Sequence, residues 1–270
     1  MIQNTYHVIS PITEVREKPD ATAARGKLES QLVFGETFIA ESINGEWVKG
    51  ACGHDGYTGF VAKKDLTPTQ QPATHVVHDI RAHIYQSNSI KSPLLRTLGF
   101  GSRITITGQD EKFFQLADGG YIYAKHLQPV SAQIKDYTAT ALKFLETPYQ
   151  WGGRSGFGID CSGLVQVVLA HAGLNAPRDT EQQISTIGRD IAGQSLQRGD
   201  IIFFPGHVGI MLDEKNIIHA NAHHMKVTCE PLAAMQERSG GITGQRRLDF
   251  LFCSTGKTGR NFSSWLPGIK

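Results

Sequence analysis

Short apolar runs punctuated by turn residues fill the first half of the chain. Leu32-Val33-Phe34, Thr37-Phe38-Ile39-Ala40, Trp47-Val48-Lys49 and Tyr57-Thr58-Gly59-Phe60-Val61 are rich in β-branched and aromatic residues. Between them, Gly35, Asn44-Gly45 and Asp55-Gly56 are hairpin signals. The pattern predicts a small β-barrel over residues 1–67. Residues 68–74, polar and carrying Pro68 and Pro72, read as a linker.

The same order of features returns over residues 75–130, with Ala82-His83-Ile84-Tyr85, Arg103-Ile104-Thr105-Ile106-Thr107, Phe113-Phe114-Gln115-Leu116 and Tyr121-Ile122-Tyr123. Both units close on an apolar strand running into Ala-Lys, at Ala62-Lys63 and Ala124-Lys125. This is internal duplication at a period of about 60 residues, which predicts a second barrel.

Beyond residue 130 the periodicity becomes helical. Ile134, Tyr137, Ala141, Leu142, Phe144 and Leu145 share one helical face, stopped by Pro148. Leu164, Val165, Val167, Val168, Leu169 and Ala172 form a second helix ended by Gly173. Strand-like runs follow at 200–204, 207–212, 216–219 and 227–228. Helices first and strands after, tightly connected, predict an α+β domain over 131–255, with 256–270 as a C-terminal extension.

Composition narrows the function. With 27 basic residues, scattered, against 25 acidic ones, nothing marks a nucleic-acid binder. The N-terminus has no positive n-region ahead of an apolar h-region, and no apolar stretch approaches the roughly 18 residues of a membrane span. These features predict a cytoplasmic protein without a membrane partner; it would be periplasmic or wall-associated if Met1 replaces a removed signal. Cys52, Cys161, Cys229 and Cys253 form no Cys-x-x-Cys pair, which argues against a zinc ribbon or a thioredoxin-like motif. Packing is the default reading of Cys52, Cys229 and Cys253.

Cys161 stands apart because it falls at the start of the second helix, with Asp160 or Ser162 available as cap. Unpaired N–H groups and the helix dipole favour a thiolate there, although a buried packing cysteine fits as well. In Pro205-Gly206-His207-Val208-Gly209-Ile210-Met211, alternation separates Val208 and Ile210 from His207, Gly209 and Met211. Glycine neighbours leave the imidazole room to act as a base. A hairpin turning at Asp213-Glu214-Lys215 would set His219 beside His207 as its orienting acceptor. A metal site is the competing reading, since His223 and His224 lie close by. No carboxylate or cysteine falls at a zinc-signature spacing, so neither metal nor cofactor is expected.

Pro148-Tyr-Gln-Trp-Gly-Gly153, Asp160-Cys-Ser-Gly-Leu164, Arg198-Gly-Asp200-Ile-Ile-Phe-Phe204, His207-Val-Gly-Ile210 and Ile218-His219-Ala220 follow one another along the chain. These blocks resemble, in order, those of the NlpC/P60 cell-wall cysteine peptidases. The resemblance implies a papain-like core with Cys161 as nucleophile, His207 as base and His219 as orienting residue. It further implies that Tyr149 lines the active site and helps hold the oxyanion, and that Asp160 and Ser162 contact the substrate peptide. Trp151 is expected in the core, and Gly152 and Gly153 as backbone requirements.

The two barrels resemble bacterial SH3-like domains, and the whole arrangement is similar to γ-D-glutamyl-L-diamino acid endopeptidases. In such relatives the first barrel closes one end of the groove; by position, Glu36 and Tyr57 are the candidates here for holding a substrate's free amine. The implied partners are peptidoglycan stem peptides or free muropeptides with an N-terminal L-alanine, acted on by a monomer. The alternatives are a hydrolase or amidase acting on intact wall, and a non-catalytic wall-binding protein.

Overall fold

The computed structural model describes residues 4–19, 27–69, 71–132 and 134–248. Cys253 and the extension 256–270 lie outside the described residues.

The first unit runs β1 (Asn4–Val8), β2 (Ile12–Arg16), β3 (Leu28–Val33), β4 (Thr37–Asn44), β5 (Trp47–Cys52), β6 (Thr58–Ala62), a single 3₁₀ turn (Lys63–Asp65) and β7 (Leu66–Thr67). All its pairings are antiparallel, in the order β3-β2-β6-β5-β4-β1-β7. Val8, Val15, Leu32, Phe38, Val48, Cys52 and Val61 make its core and are all fully buried. Cys52 is therefore a packing residue, and burial pushes its thiol pKa well up.

The second unit runs β8 (His75–Val77), β9 (Arg81–Tyr85), β10 (Leu94–Gly99), β11 (Arg103–Ile104), β12 (Ile106–Gln109), β13 (Phe113–Leu116), β14 (Tyr121–Tyr123), a 3₁₀ turn (Ala124–His126) and β15 (Leu127–Pro129). The two units share one wiring diagram. β9 pairs with β10 and β14 as β2 pairs with β3 and β6, and β8 pairs with β11 and β15 as β1 pairs with β4 and β7. In both, the Ala-Lys step enters the 3₁₀ turn.

The third unit comprises α1 (Tyr137–Lys143), β16 (Arg154–Ser155), β17 (Gly158–Ile159), α2 (Cys161–His171), α3 (Thr180–Thr186), β18 (Arg189–Asp190), β19 (Ile201–Phe204), β20 (His207–Met211), β21 (Asn216–Asn221), β22 (Lys226–Pro231), α4 (Leu232–Ser239) and β23 (Gly244–Arg247). Its six-stranded antiparallel sheet has the order β18-β23-β19-β20-β21-β22. One face packs Val208, Ile210, Ile218 and Ala220 against α1 and α2, while Ile202, Met211 and Ile217 pack with Leu232 and Met235 of α4 on the other. This is the α+β class expected from the sequence. Every residue of α2 from Cys161 to Leu169 is buried, so the helix is the centre of the domain and not a surface element with one apolar stripe.

The units interlock through single aromatic side chains. Phe34, from the first barrel, is part of the second barrel's core, and Phe100, from the second, sits in the third unit's core against Phe144 and His171. At the first junction the Arg103 N–H donates to the Phe34 carbonyl. Gly35 beside it has φ +80°, and a Cβ there would meet the Arg103 oxygen at 2.1 Å, so only glycine fits.

Candidate active site

Asp160 caps α2 by accepting from the Gly163 N–H at 2.7 Å, and Cys161 follows as the first helical residue, 7% exposed. The Val208 and Ser162 backbone N–H groups and the Thr180 hydroxyl lie near its sulfur and favour the thiolate. Burial and the Asp160 carboxylate outweigh these donors and push the thiol pKa up to about 11. Desolvation thus outweighs the favourable helix start, and the thiol at rest keeps its proton. Ionising it requires a base.

β20, which packs on α2, carries the candidate base: His207 precedes Val208, whose N–H lies near the sulfur. His207 Nε2 lies 2.7 Å from His219 Nδ1. In the hairpin register Ile210 faces Ile218, which sets His219 across from Gly209. A Cβ on Gly209 would crowd His219 Cβ at 3.1 Å, so the glycine makes room for the second imidazole. Burial lowers the pKa of His207 to about 3 and that of His219 to about 4. Both are neutral at rest. His219 Nε2 in turn meets Glu230 Oε1 at 2.7 Å, and Glu230 is clasped by both terminal nitrogens of Arg238.

Tyr149 bridges to Ile159, and its N–H donates to the Met225 carbonyl. Burial, then the proximity of Cys161 and Asp160, raises its hydroxyl to about 12. It therefore remains an O–H donor near the sulfur, as an oxyanion partner must.

Asp160 and Ser162 flank Cys161 but face inward. Asp160 accepts from Gly163 N, from Gly152 N at 2.8 Å, and from both terminal nitrogens of Arg178 at 3.0 and 2.5 Å. A carboxylate has about four acceptor sites, and all are occupied. Ser162 bonds Arg178 at 2.8 Å and is 5% exposed. Through Arg178 both side chains have a structural role at the start of α2.

Glu36, by contrast, is placed in a joint between units and does not line the Tyr57 cleft. Its side chain is 13% exposed and is tied to Arg154 at 3.3 Å and to the Val33 N–H at 2.9 Å. Burial would raise its pKa, but Arg154 and then His54 hold it below the usual carboxylate value. It docks the first barrel onto the third unit. Arg154 completes that joint by binding Gln166 Oε1 at 2.5 Å and the Gln31 carbonyl at 2.6 Å, and Gln166 reaches Asp55 at 2.8 Å.

Tyr57 lies elsewhere, in a cleft of about 520 Å³ between the first barrel and Arg178, lined also by Glu17, Glu29 and Gln182. Burial, followed by the nearby Asp179 and Glu29 charges, raises its hydroxyl to about 12. Glu29, 20% exposed, has Lys27 as its partner at 3.1 Å. Asp179 sits high for a carboxyl because of burial and the neighbouring Glu181 and Glu29. Sequence reasoning missed Glu29, Arg178, Asp179, Thr180 and Glu230. The cluster Pro177-Arg178-Asp179-Thr180 ahead of a polar helix was the one local signal available.

Trp151 is 58% exposed, with Lys27 over its ring, and not a core residue as expected. Gly152, at φ +75°, abuts Leu28 of the first barrel, and a Cβ on Gly153 would strike the Gly158 oxygen at 2.6 Å. His223 and His224 pack edge to face in the β21–β22 hairpin. Among the described residues no group of three or more His, Cys, Asp or Glu is placed to hold a metal ion, and no helix is long and apolar enough to cross a membrane.

A cysteine at the start of a helix that packs on the strand bearing an imidazole, itself backed by a second imidazole, is the arrangement of a cysteine hydrolase. Residues 146–241 match the NlpC/P60 family model, and residues 16–66 match the bacterial dipeptidyl-peptidase SH3 domain. Dipeptidyl-peptidase 6 of Lysinibacillus sphaericus is 30% identical over 79% of this chain and 86% of its own length. The γ-D-glutamyl-L-lysine dipeptidyl-peptidase of Bacillus cereus is 29% identical over 76% of this chain and 71% of its own. A solved NlpC/P60 family protein from Bacillus cereus superimposes with a TM-score of 0.76 at 23% identity, over 90% of this chain and 99% of that one. The chain belongs to the NlpC/P60 family and is a cysteine peptidase, with bacterial SH3-like architecture ahead of its catalytic unit. Its relatives support hydrolysis of peptidoglycan peptides.

Proposed function

We propose that the protein cleaves the γ-D-glutamyl–diamino acid bond of muropeptides that carry a free N-terminal L-alanine, releasing L-Ala-γ-D-Glu. The observation that carries this reading is the cleft walled by the first barrel, where Glu17, Glu29, Asp55 and Tyr57 lie beside Lys49 and Arg178, with the Asp179 charge close to the Tyr57 hydroxyl. A substrate ammonium fits that charge. An amide-blocked N-terminus would leave these polar groups unpaired, which is the kind of loss that gives strong discrimination. Stem peptides still joined to muramic acid lack the amine, so released peptides are the preferred substrates and recycling is the role.

In the mechanism, the Cys161 thiol gives its proton to His207 Nδ1, the ring nitrogen not engaged with His219, and the sulfur attacks the γ-carbonyl carbon. The Cys161 N–H and the Tyr149 hydroxyl hold the resulting oxyanion. His207 passes its proton to the departing amine of the diamino acid. Water then attacks the thioester with His207 taking its proton, which frees the dipeptide and regenerates the thiol.

The test compares L-Ala-γ-D-Glu-L-Lys with its N-acetyl form by mass spectrometry of products. The expected result is cleavage of the free peptide at least about 100-fold faster, in line with unpaired buried polar groups. Equal rates would overturn the reading.

A further inference from the structure

Behind the histidine pair lies a carboxylate that the mechanism above does not use. Glu230 on β22 faces His219 of β21 at 2.7 Å, His224 of the adjoining hairpin at 3.7 Å, and Arg238 of α4, whose two terminal nitrogens both bind it. Its side chain is 10% exposed. Burial opposes its charge, but the Arg238 hydrogen bonds and His219 hold its pKa below the ordinary value, so it is ionised and accepts only.

Hydrogen-bond bookkeeping then determines every proton in the row. An acceptor-only Glu230 requires His219 to carry its proton on Nε2. Neutral His219 thereby offers a lone pair on Nδ1, so the 2.7 Å contact is a bond donated by His207 Nε2–H. His207 keeps a bare Nδ1, the form that can take a proton from the thiol. The opposite arrangement also has a sponsor in the fold, because the Asn221 amide nitrogen lies 3.3 Å from His219 Nε2 and would donate to it if it were bare. In that case His219 would carry Nδ1–H, and His207 would present a protonated Nδ1 that cannot act as base.

We infer that Glu230 is a positioning residue that selects the catalytically competent tautomer of His207 through His219, against the opposing tautomer favoured by Asn221. The inference rests on Cys161 and His207 acting as nucleophile and base. It adds a residue whose effect passes through two imidazoles.

The test is Glu230→Gln. Arg238, a pure donor, will claim the amide oxygen and turn the NH2 toward His219 Nε2, where it joins Asn221 in favouring the wrong tautomer. With L-Ala-γ-D-Glu-L-Lys as substrate, kcat should fall by at least about 10-fold, toward the roughly 10⁴-fold scale of a catalytic histidine held in the wrong tautomer. KM should move less than about twofold, since no group facing substrate has changed. The ¹⁵N spectrum of the imidazoles should show His207 switched from Nε2–H to Nδ1–H. Adding Arg238→Met to Glu230→Gln frees the amide oxygen to turn back toward His219 and should recover much of kcat, a reversal that a loss of packing would not produce.

Glu230→Met, which removes the acceptor and leaves Asn221, gives the same spectroscopic readout if the amide variant does not fold. Wild-type tautomers in either folded variant, or unchanged kcat in Glu230→Gln, would overturn the inference. Cys161→Ala separates this from the reading beneath it. Full activity in that variant removes the mechanism itself, whereas an inactive Cys161→Ala beside a fully active Glu230→Gln removes only the role of Glu230.

Discussion

Replacing Asp160 by Asn tests the structural role of the residue before the nucleophile. Asparagine caps a helix as well as aspartate does, so the bond from Gly163 survives and the cap contributes nothing to the loss. The amide NH2 must then point at Gly152 N and Arg178 Nη2, where the carboxylate now accepts at 2.8 and 2.5 Å. Arg178 is 2% exposed and its partner 8%, so this pair is buried. Removing one member of such a pair costs about 3–5 kcal/mol, chiefly because the other charge remains without compensation.

We expect a loss of about 4 kcal/mol for Asp160→Asn, or a melting point lower by on the order of 15 °C for a unit of this size. Urea denaturation with calorimetry measures it. Asp160→Asn combined with Arg178→Met should be more stable than Asp160→Asn alone by about 2 kcal/mol, because the orphaned charge is gone. A single variant within about 1 kcal/mol of wild type that had lost its preference for free amines would refute the argument, and would return Asp160 to a substrate-binding role.

Glu29→Gln removes charge from the amine cleft and should raise KM for the free-amine peptide about 10-fold or more while moving kcat little; kinetics on the free and N-acetylated tripeptides measure this, and an unchanged KM would exclude Glu29 from recognition. The pH dependence of stability carries a sign. His207, His219 and His171 are held neutral with pKa values of about 3, 4 and 4, mainly by burial, against 6.5 for the free side chain. Below 6.5 the unfolded chain binds protons that the folded one does not, so the stabilisation is complete above 6.5 and is lost as pH falls toward 4 and then 3. Melting temperatures recorded across that range should fall steadily from pH 6.5, where the carboxylates have yet to titrate, and a flat profile down to pH 5 would contradict it.

The local sequence carried a large part of this protein. Alternating runs with Asn-Gly and Asp-Gly breaks announced the barrels, the repeated Ala-Lys step marked their duplication, and the change to helical spacing marked the α+β unit. Cys161, His207 and His219 stood out as candidates because each sits in a short segment whose own pattern sets its surroundings: a helix start, a strand between glycines, and the far arm of a hairpin. Turn chemistry and strand period act over a few residues, and a sequence displays them directly.

Only the tertiary structure decided what those side chains face. Glu36 follows a glycine turn and reads by position as a candidate for a substrate's amine, yet Arg154, far along the chain, binds it inside a domain joint. Asp160 reads as a cap next to substrate, yet Arg178 takes its remaining acceptor sites. Glu29 gains its meaning from Tyr57 and Asp179, and Glu230 from His219 and Arg238. The thiol's proton belongs to the same class, because the helix start is local but the desolvation that overrides it is the work of the whole core. The sequence by itself determined the elements and the chemistry they carry. Which charges are paired, buried or left to meet a substrate depended on contacts between distant segments, where burial energies exceed anything that local pattern encodes.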